Sequence, residues 1–176
     1  ASAYGRDKAV LAQRVDNPYI DEETNRLRNI FGGRTFYSNH GDQPFFAAMR
    51  WLKKKKFLGI LIDQNAGSSE VWLPFMGRTA AFSPITALLA IKMQVPVFPV
   101  KVRREENGLL VCEVLDALIP PTEYTPKTAR EFTKQLATFY EECLKEDPAS
   151  WLWAHNRWKR EAEGDAYLQA HPEERL

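Results

Sequence analysis

A chain of 176 residues that is 44% hydrophobic and 27% charged is long enough to bury one full core and too short for two ordinary domains. The formal net charge of +1 excludes a global attraction to nucleic acid, although Lys53, Lys54, Lys55 and Lys56 run together and Arg157, Lys159 and Arg160 follow a tryptophan cluster. Cys112 and Cys143 have no second Cys or His at metal-ligand spacing, which argues against a zinc site or a disulfide framework and fits a reducing compartment.

The chain opens Ala1-Ser2-Ala3-Tyr4-Gly5-Arg6 without an initiator Met and runs at once toward a strand-like segment, so a missing amino-terminal portion is expected. Ala9 to Ala12 reads as a buried strand. Asp16-Asn17-Pro18 then supplies capping chemistry for a helix from about Tyr19 to Ile30, stopped by Gly32-Gly33. Thr35-Phe36-Tyr37 is a second strand. Asp42-Gln43-Pro44 starts a second helix, in which Phe45, Phe46, Met49 and Leu52 recur at helical spacing and the lysine run forms a solvated end.

Phe57 to Ile62 is an uninterrupted apolar run, the pattern of a parallel strand covered on both faces, and it delivers Asp63 to the strand's carboxyl end. Ala66 to Ser83 lacks a steady period and reads as a long loop. A helix from Pro84 to Met93, capped by Ser83, leads to a strand over Val95 to Val100 whose prolines place it at an edge or a strand end. Leu109 to Leu115 is a further strand and Lys127 to Lys145 a helix with Phe132, Leu136, Phe139, Tyr140 and Cys143 in one stripe. The alternation argues an α/β fold, with a mixed, mostly parallel central sheet flanked by helices in a single domain over residues 1–160. Residues 161–176 read as a loosely held polar tail. Both long apolar runs fall far short of the roughly 20 residues that cross a bilayer, so the chain as given is soluble or peripheral.

No Gly-x-Ser-x-Gly elbow, Walker loop, Gly-x-Gly-x-x-Gly or His-Glu-x-x-His is present, which removes the best evidence for hydrolase, nucleotide and zinc-protease chemistry. His40, near Asp42 on a turn, reads as a surface pair or a general base. His155 lies in Trp151-Leu152-Trp153-Ala154-His155-Asn156-Arg157-Trp158-Lys159. The plain reading there is a core helix whose histidine caps a neighbouring element; the sharper one is a membrane-interface or anionic-headgroup contact. Asp63 sits where open α/β sheets place ligands, and Arg14, Arg34 and Arg78 stand at strand ends or in the long segment where phosphate could be bound in bidentate fashion.

Six blocks in order carry a resemblance: Arg14-x-Asp16-Asn17-Pro18, Phe31-Gly32-Gly33-Arg34, Ile62-Asp63-Gln64-Asn65, Val71 to Arg78, Val95 to Val100, and Trp151 to Lys159. In that order the chain resembles the lipid A biosynthesis acyltransferases. The resemblance implies a glycerolipid-acyltransferase fold and transfer of a fatty acyl chain from acyl carrier protein or acyl-CoA to a hydroxyl of a lipid acceptor. It implies work at the cytoplasmic face of the bacterial inner membrane, with no metal, cofactor or nucleic acid. In that family a His-x-x-x-x-Asp/Glu motif supplies the base. Here the fifth residue after His40 is Phe45, after His155 Arg160, and after His171 Leu176. The motif is therefore expected before Ala1 with the family's membrane helix, and a non-catalytic lipid- or partner-binding domain is the alternative. By similarity Arg14 and Arg34 would lie near the acceptor's phosphate or sugar, and Asp63 with Gln64 would line the cleft. Phe75, Gly77 and Arg78 would flank the acyl or acceptor channel, with His155 and Arg157 also binding substrate.

Overall fold

The structure, a computed structural model, describes residues 7–30, 32–37, 43–67 and 70–175. The turn carrying His40 and Asp42 lies outside them. The chain is α/β and forms two compact units, Ala1–Leu61 and Ile62–Leu176.

In the first unit, β1 (Lys8–Ala12), β2 (Arg34–Tyr37) and β3 (Phe57–Ile60) form a parallel sheet in the order β2-β1-β3. Parallel strands need crossovers, and α1 (Pro18–Asn29) and α2 (Gln43–Lys53) supply them. Asn17 caps α1 by accepting from the N–H groups of Tyr19 at 3.0 Å and Ile20 at 3.4 Å, with Pro18 preset for the first turn. On α2, Ala48 and Trp51 turn inward, and the Trp51 indole N–H donates to the Phe57 carbonyl at 2.8 Å. The lysine run is a solvated helix end, as expected, except that Lys56 folds back over the Trp51 ring and pairs with Asp7. One expectation fails: β3 is an edge strand whose Phe57 side chain is half exposed, and β1 is central. An apolar run this short reads the same in either position.

The second unit is organised by a hairpin where the sequence reads as a loop. β4 (Val71–Phe75) and β5 (Arg78–Phe82) pair antiparallel through the two-residue turn Met76-Gly77, both at positive φ (52° and 77°), the geometry that matches strand twist. Leu73, Phe75, Ala80 and Phe82 are buried with Ala137 and Leu144 of α4 (Pro126–Glu146) and with Trp151. A second cluster joins Ala87, Ala90 and Ile91 of α3 (Ile85–Met93) to Ala129, Phe132 and Leu136 of α4. Thr125 caps α4 in a reciprocal box with Thr128.

Two further expectations are corrected. Val95 to Pro99 is not a continuous strand, because Pro96 and Pro99 have no N–H to donate: Val97 forms an isolated bridge with Leu118, and the Pro99 carbonyl accepts from the Leu115 N–H at 3.0 Å. The strand begins at Val100, as β6 (Val100–Arg104), paired antiparallel with β7 (Leu110–Val114). Among the described residues, parallel pairing is thus confined to β1, β2 and β3. The Trp151 to Lys159 segment is a series of tight turns and not a core helix.

The expected tail is ordered through residue 175, and residues 161–170 form α5 (Glu161–Ala170). It packs Gly164 on the outer face of the hairpin so closely that a Cβ there would lie 2.4 Å from Trp72 Cε3 and 2.7 Å from Thr79 Cγ2. Gly164→Ala is expected to lower stability by about 1–3 kcal/mol through overpacking, read as a shift of the urea midpoint. An unchanged midpoint would refute that contact. Among the described residues no helix is long and apolar enough to cross a membrane.

Candidate functional site

The carboxyl end of the parallel sheet gathers a polar cluster in the first unit. Asp21, in the first turn of α1, is buried and accepts from the Val15 N–H at 3.1 Å and the Tyr37 hydroxyl at 3.3 Å. The Nε of Arg14 lies 3.5 Å from the Asp21 carboxylate, and the guanidinium rests 4.7 Å from the centroid of the Tyr37 ring. Asn25 donates to both Tyr37 Oη and the Asp21 carbonyl. The guanidinium thus meets Asp21 through its Nε, in a side chain that is 53% exposed. A guanidinium fork suits a phosphate or carboxylate.

Arg34 does not share this end. The register sets it beside Ala9, at the amino end of β2, while Arg14 follows the carboxyl end of β1. Five residues of chain, the first part of them strand, separate those levels, on the order of 15 Å when extended. Arg34 instead covers Trp51 and lies near enough to Asp7 to help hold that carboxyl low, after the larger effect of Lys56.

In the second unit the segment after Ile62 meets the Trp151 to Arg160 turns. Arg157 has no exposed surface; its Nη1 donates to the Ala81 carbonyl at 2.7 Å, and the guanidinium carbon lies 4.2 Å from the centroid of the Phe82 ring. Its Nε and Nη2 are buried without a hydrogen-bond partner, as are Asp63 Oδ1, Asn65 Oδ1 and Trp151 Nε1. Each such group costs about 1–3 kcal/mol if it stays unpaired, so a bound water or ligand polar group would be stabilised there. Burial brings the Arg157 guanidinium down to about 10, against the opposing pull of Tyr140 and Asp63. The Tyr140 phenol is pushed far above its ordinary range by burial and then by the Asp63 charge, so it keeps its proton.

The remaining expected residues take varied places. Phe75 is fully buried, stacked on Tyr140 with ring centroids 5.5 Å apart, and offers no surface to a ligand. Gly77 forms the hairpin turn. The Arg78 fork is occupied by Glu161, with the guanidinium over Trp158. Gln64 is exposed beside Asp63. The imidazole Nε2 of His155 accepts the Asn65 N–H at 2.9 Å, as in the capping reading, so its lone pair is engaged. His171 sits at the end of α5 with Nδ1 3.0 Å from the Tyr167 carbonyl. Among the described residues neither is paired with a carboxylate. Asp21 escaped the sequence reading, and Asn65 and Tyr140 enter it only as part of a motif block and of a helix stripe; the one sign of Asp21 was a carboxylate four residues past a helix cap.

The sequence profile of the family described as bacterial lipid A biosynthesis acyltransferase matches residues 2–160. The chain belongs to that family. No curated protein matches it. Membership makes the chain part of an acyltransferase family, with an acyl donor and a lipid acceptor as its general reactants. The match ends at residue 160, just ahead of α5.

Proposed function

We propose that this lipid A acyltransferase family member takes part in moving a fatty acyl chain from a thioester, on acyl carrier protein or coenzyme A, to a hydroxyl of a lipid A-type or related glycolipid. The reaction would run at the cytoplasmic face of the bacterial inner membrane, with the protein against the membrane surface. The carrying observation is the Arg14 fork, anchored by buried Asp21 and open at the carboxyl end of β1. A phosphorylated glycolipid presents the oxyanion that such a fork accepts in bidentate fashion. The chain's own part is binding and orientation: in the first unit Arg14 binds acceptor phosphate, and in the second, taken by itself, Asp63 and Gln64 bind ligand. The acceptor hydroxyl must lose its proton as it attacks the thioester carbonyl and the thiolate leaves. None of His40, His155 and His171 has a carboxylate five residues on.

That same spacing favours a second reading, a non-catalytic domain that binds lipid or a partner. Expressing the complete open reading frame in cells lacking the corresponding transferase, followed by lipid mass spectrometry, separates the two. Gain of one acyl chain on the acceptor lipid supports transfer; no gain, with retained binding to vesicles of that lipid, supports the binder. Within the enzyme reading, Asp63→Ala is expected to lower acyl transfer about tenfold or more, beyond any loss of folded protein read from the urea midpoint. Unchanged turnover would remove Asp63 from the cleft.

A further inference from the structure

Two sequence blocks almost a hundred residues apart meet as one assembly, in which Arg160 pairs both with that distant block and with Glu163 on its own side. His155 takes the Asn65 N–H on its imidazole Nε2. Arg160 donates through Nη1 to the carbonyls of Ala66 at 3.2 Å and Gly67 at 3.4 Å, and through Nη2 to the Glu70 carboxylate at 2.6 Å. Arg157, between them, fixes the turn to β5 through the Ala81 carbonyl, and the Ala66 N–H donates to that same carbonyl at 3.4 Å. The contacts of His155 and Arg160 with the distant block thus end on residues 65–70, immediately after Asp63 and Gln64. The buried Arg157 cation lies close enough to Asp63 to feel its charge.

We propose that residues 155–160 are a positioning strap, in which His155, Arg157 and Arg160 hold the segment after Ile62 in one course so that Asp63 and Gln64 meet the ligand in a fixed geometry. The cationic cluster that reads in sequence as a headgroup contact serves the protein's own backbone. An imidazole suits this use because its neutral form offers one acceptor nitrogen on a rigid ring, and a guanidinium because one side chain reaches two carbonyls and a carboxylate at once. His155 and Arg157 are then positioning residues and touch no substrate. The role in turnover rests on the acyl-transfer reading above; the mechanical part does not.

The test uses the complete protein with His155→Leu, His155→Gln and Arg157→Lys, and exposed Lys159→Ala as the control. Amide hydrogen exchange is followed at Asn65 and, for reference, at Leu73 in the hairpin. In His155→Leu the Asn65 amide is expected to exchange at least about tenfold faster with Leu73 unchanged. His155→Gln, whose side-chain carbonyl can still accept, should restore much of the protection. In the same variants kcat should fall about tenfold for Leu and less for Gln, with the thioester KM unchanged. Arg157→Lys keeps the charge and loses the fork, and should also speed exchange at Asn65.

Unchanged exchange at Asn65 in His155→Leu would overturn the strap. Faster exchange with wild-type turnover would overturn its positioning role. If the wild-type protein transfers no acyl chain, the functional reading fails, and the exchange data still decide whether the strap exists.

Discussion

Phe75→Ala is expected to destabilise the second unit by about 3–5 kcal/mol, the range for removing a fully buried phenylalanine. The ring is the hub of the hairpin core. It stacks on Tyr140, meets Phe82 edge-on at 5.5 Å and Trp151 at 6.1 Å, and lies beside Trp158 and the Arg157 guanidinium. Truncation would open a cavity beside a cation that already has unpaired N–H groups, and water entering there would pair with them and offset part of the loss. Urea unfolding followed by tryptophan fluorescence reports it directly, since Trp151 and Trp158 flank the site. Phe75→Leu, which keeps most of the volume, should lose far less. A loss below about 1 kcal/mol for the alanine variant would mean that the hairpin core is packed differently.

Arg14→Ala is expected to lower kcat/KM for acyl transfer about 10- to 150-fold, equivalent to the roughly 1.5–3 kcal/mol carried by hydrogen bonds to a charged group. Arg14→Lys should recover little, because a single ammonium nitrogen cannot meet Asp21 and also offer a bidentate fork. Arg34→Ala should cost less than about threefold, since Arg34 lies at the opposite end of the sheet. Rates measured with a labelled thioester donor and a phosphorylated glycolipid acceptor check all three. Equal losses from Arg14→Ala and Arg34→Ala would contradict the assignment of the fork to Arg14 alone.

The helices were legible where local chemistry decides them. Asn17-Pro18 opens α1, Gln43-Pro44 opens α2 and Thr125-Pro126 opens α4, the last two followed by apolar residues at helical spacing. The hairpin was not legible, because β4 is covered on both faces, by α4 on one side and by Gly164 of α5 on the other, which erases the alternation that marks a strand. Met76-Gly77 also lacks the Asn-Gly signature of its turn. At the sites, residue types were visible and partners were not. Arg14 reads as an anion contact in one dimension, but its orientation depends on Asp21 and on Tyr37, sixteen residues beyond that aspartate. Arg34 also reads as a strand-end arginine, and only the direction of the strand shows which end. His155 needs Asn65, ninety positions away, before its role is defined.

The family match stops at residue 160, one position short of a helix that the hairpin requires for its outer face. A recombinant piece ended there would strip the cover from Trp72, which is now 4% exposed, and remove Glu161, Asp165 and Glu174 from Arg78, Thr79 and Arg130. Such a piece should be sticky and short-lived in solution, so evolutionary boundaries and mechanical ones part company at this terminus, and protein production should follow the latter.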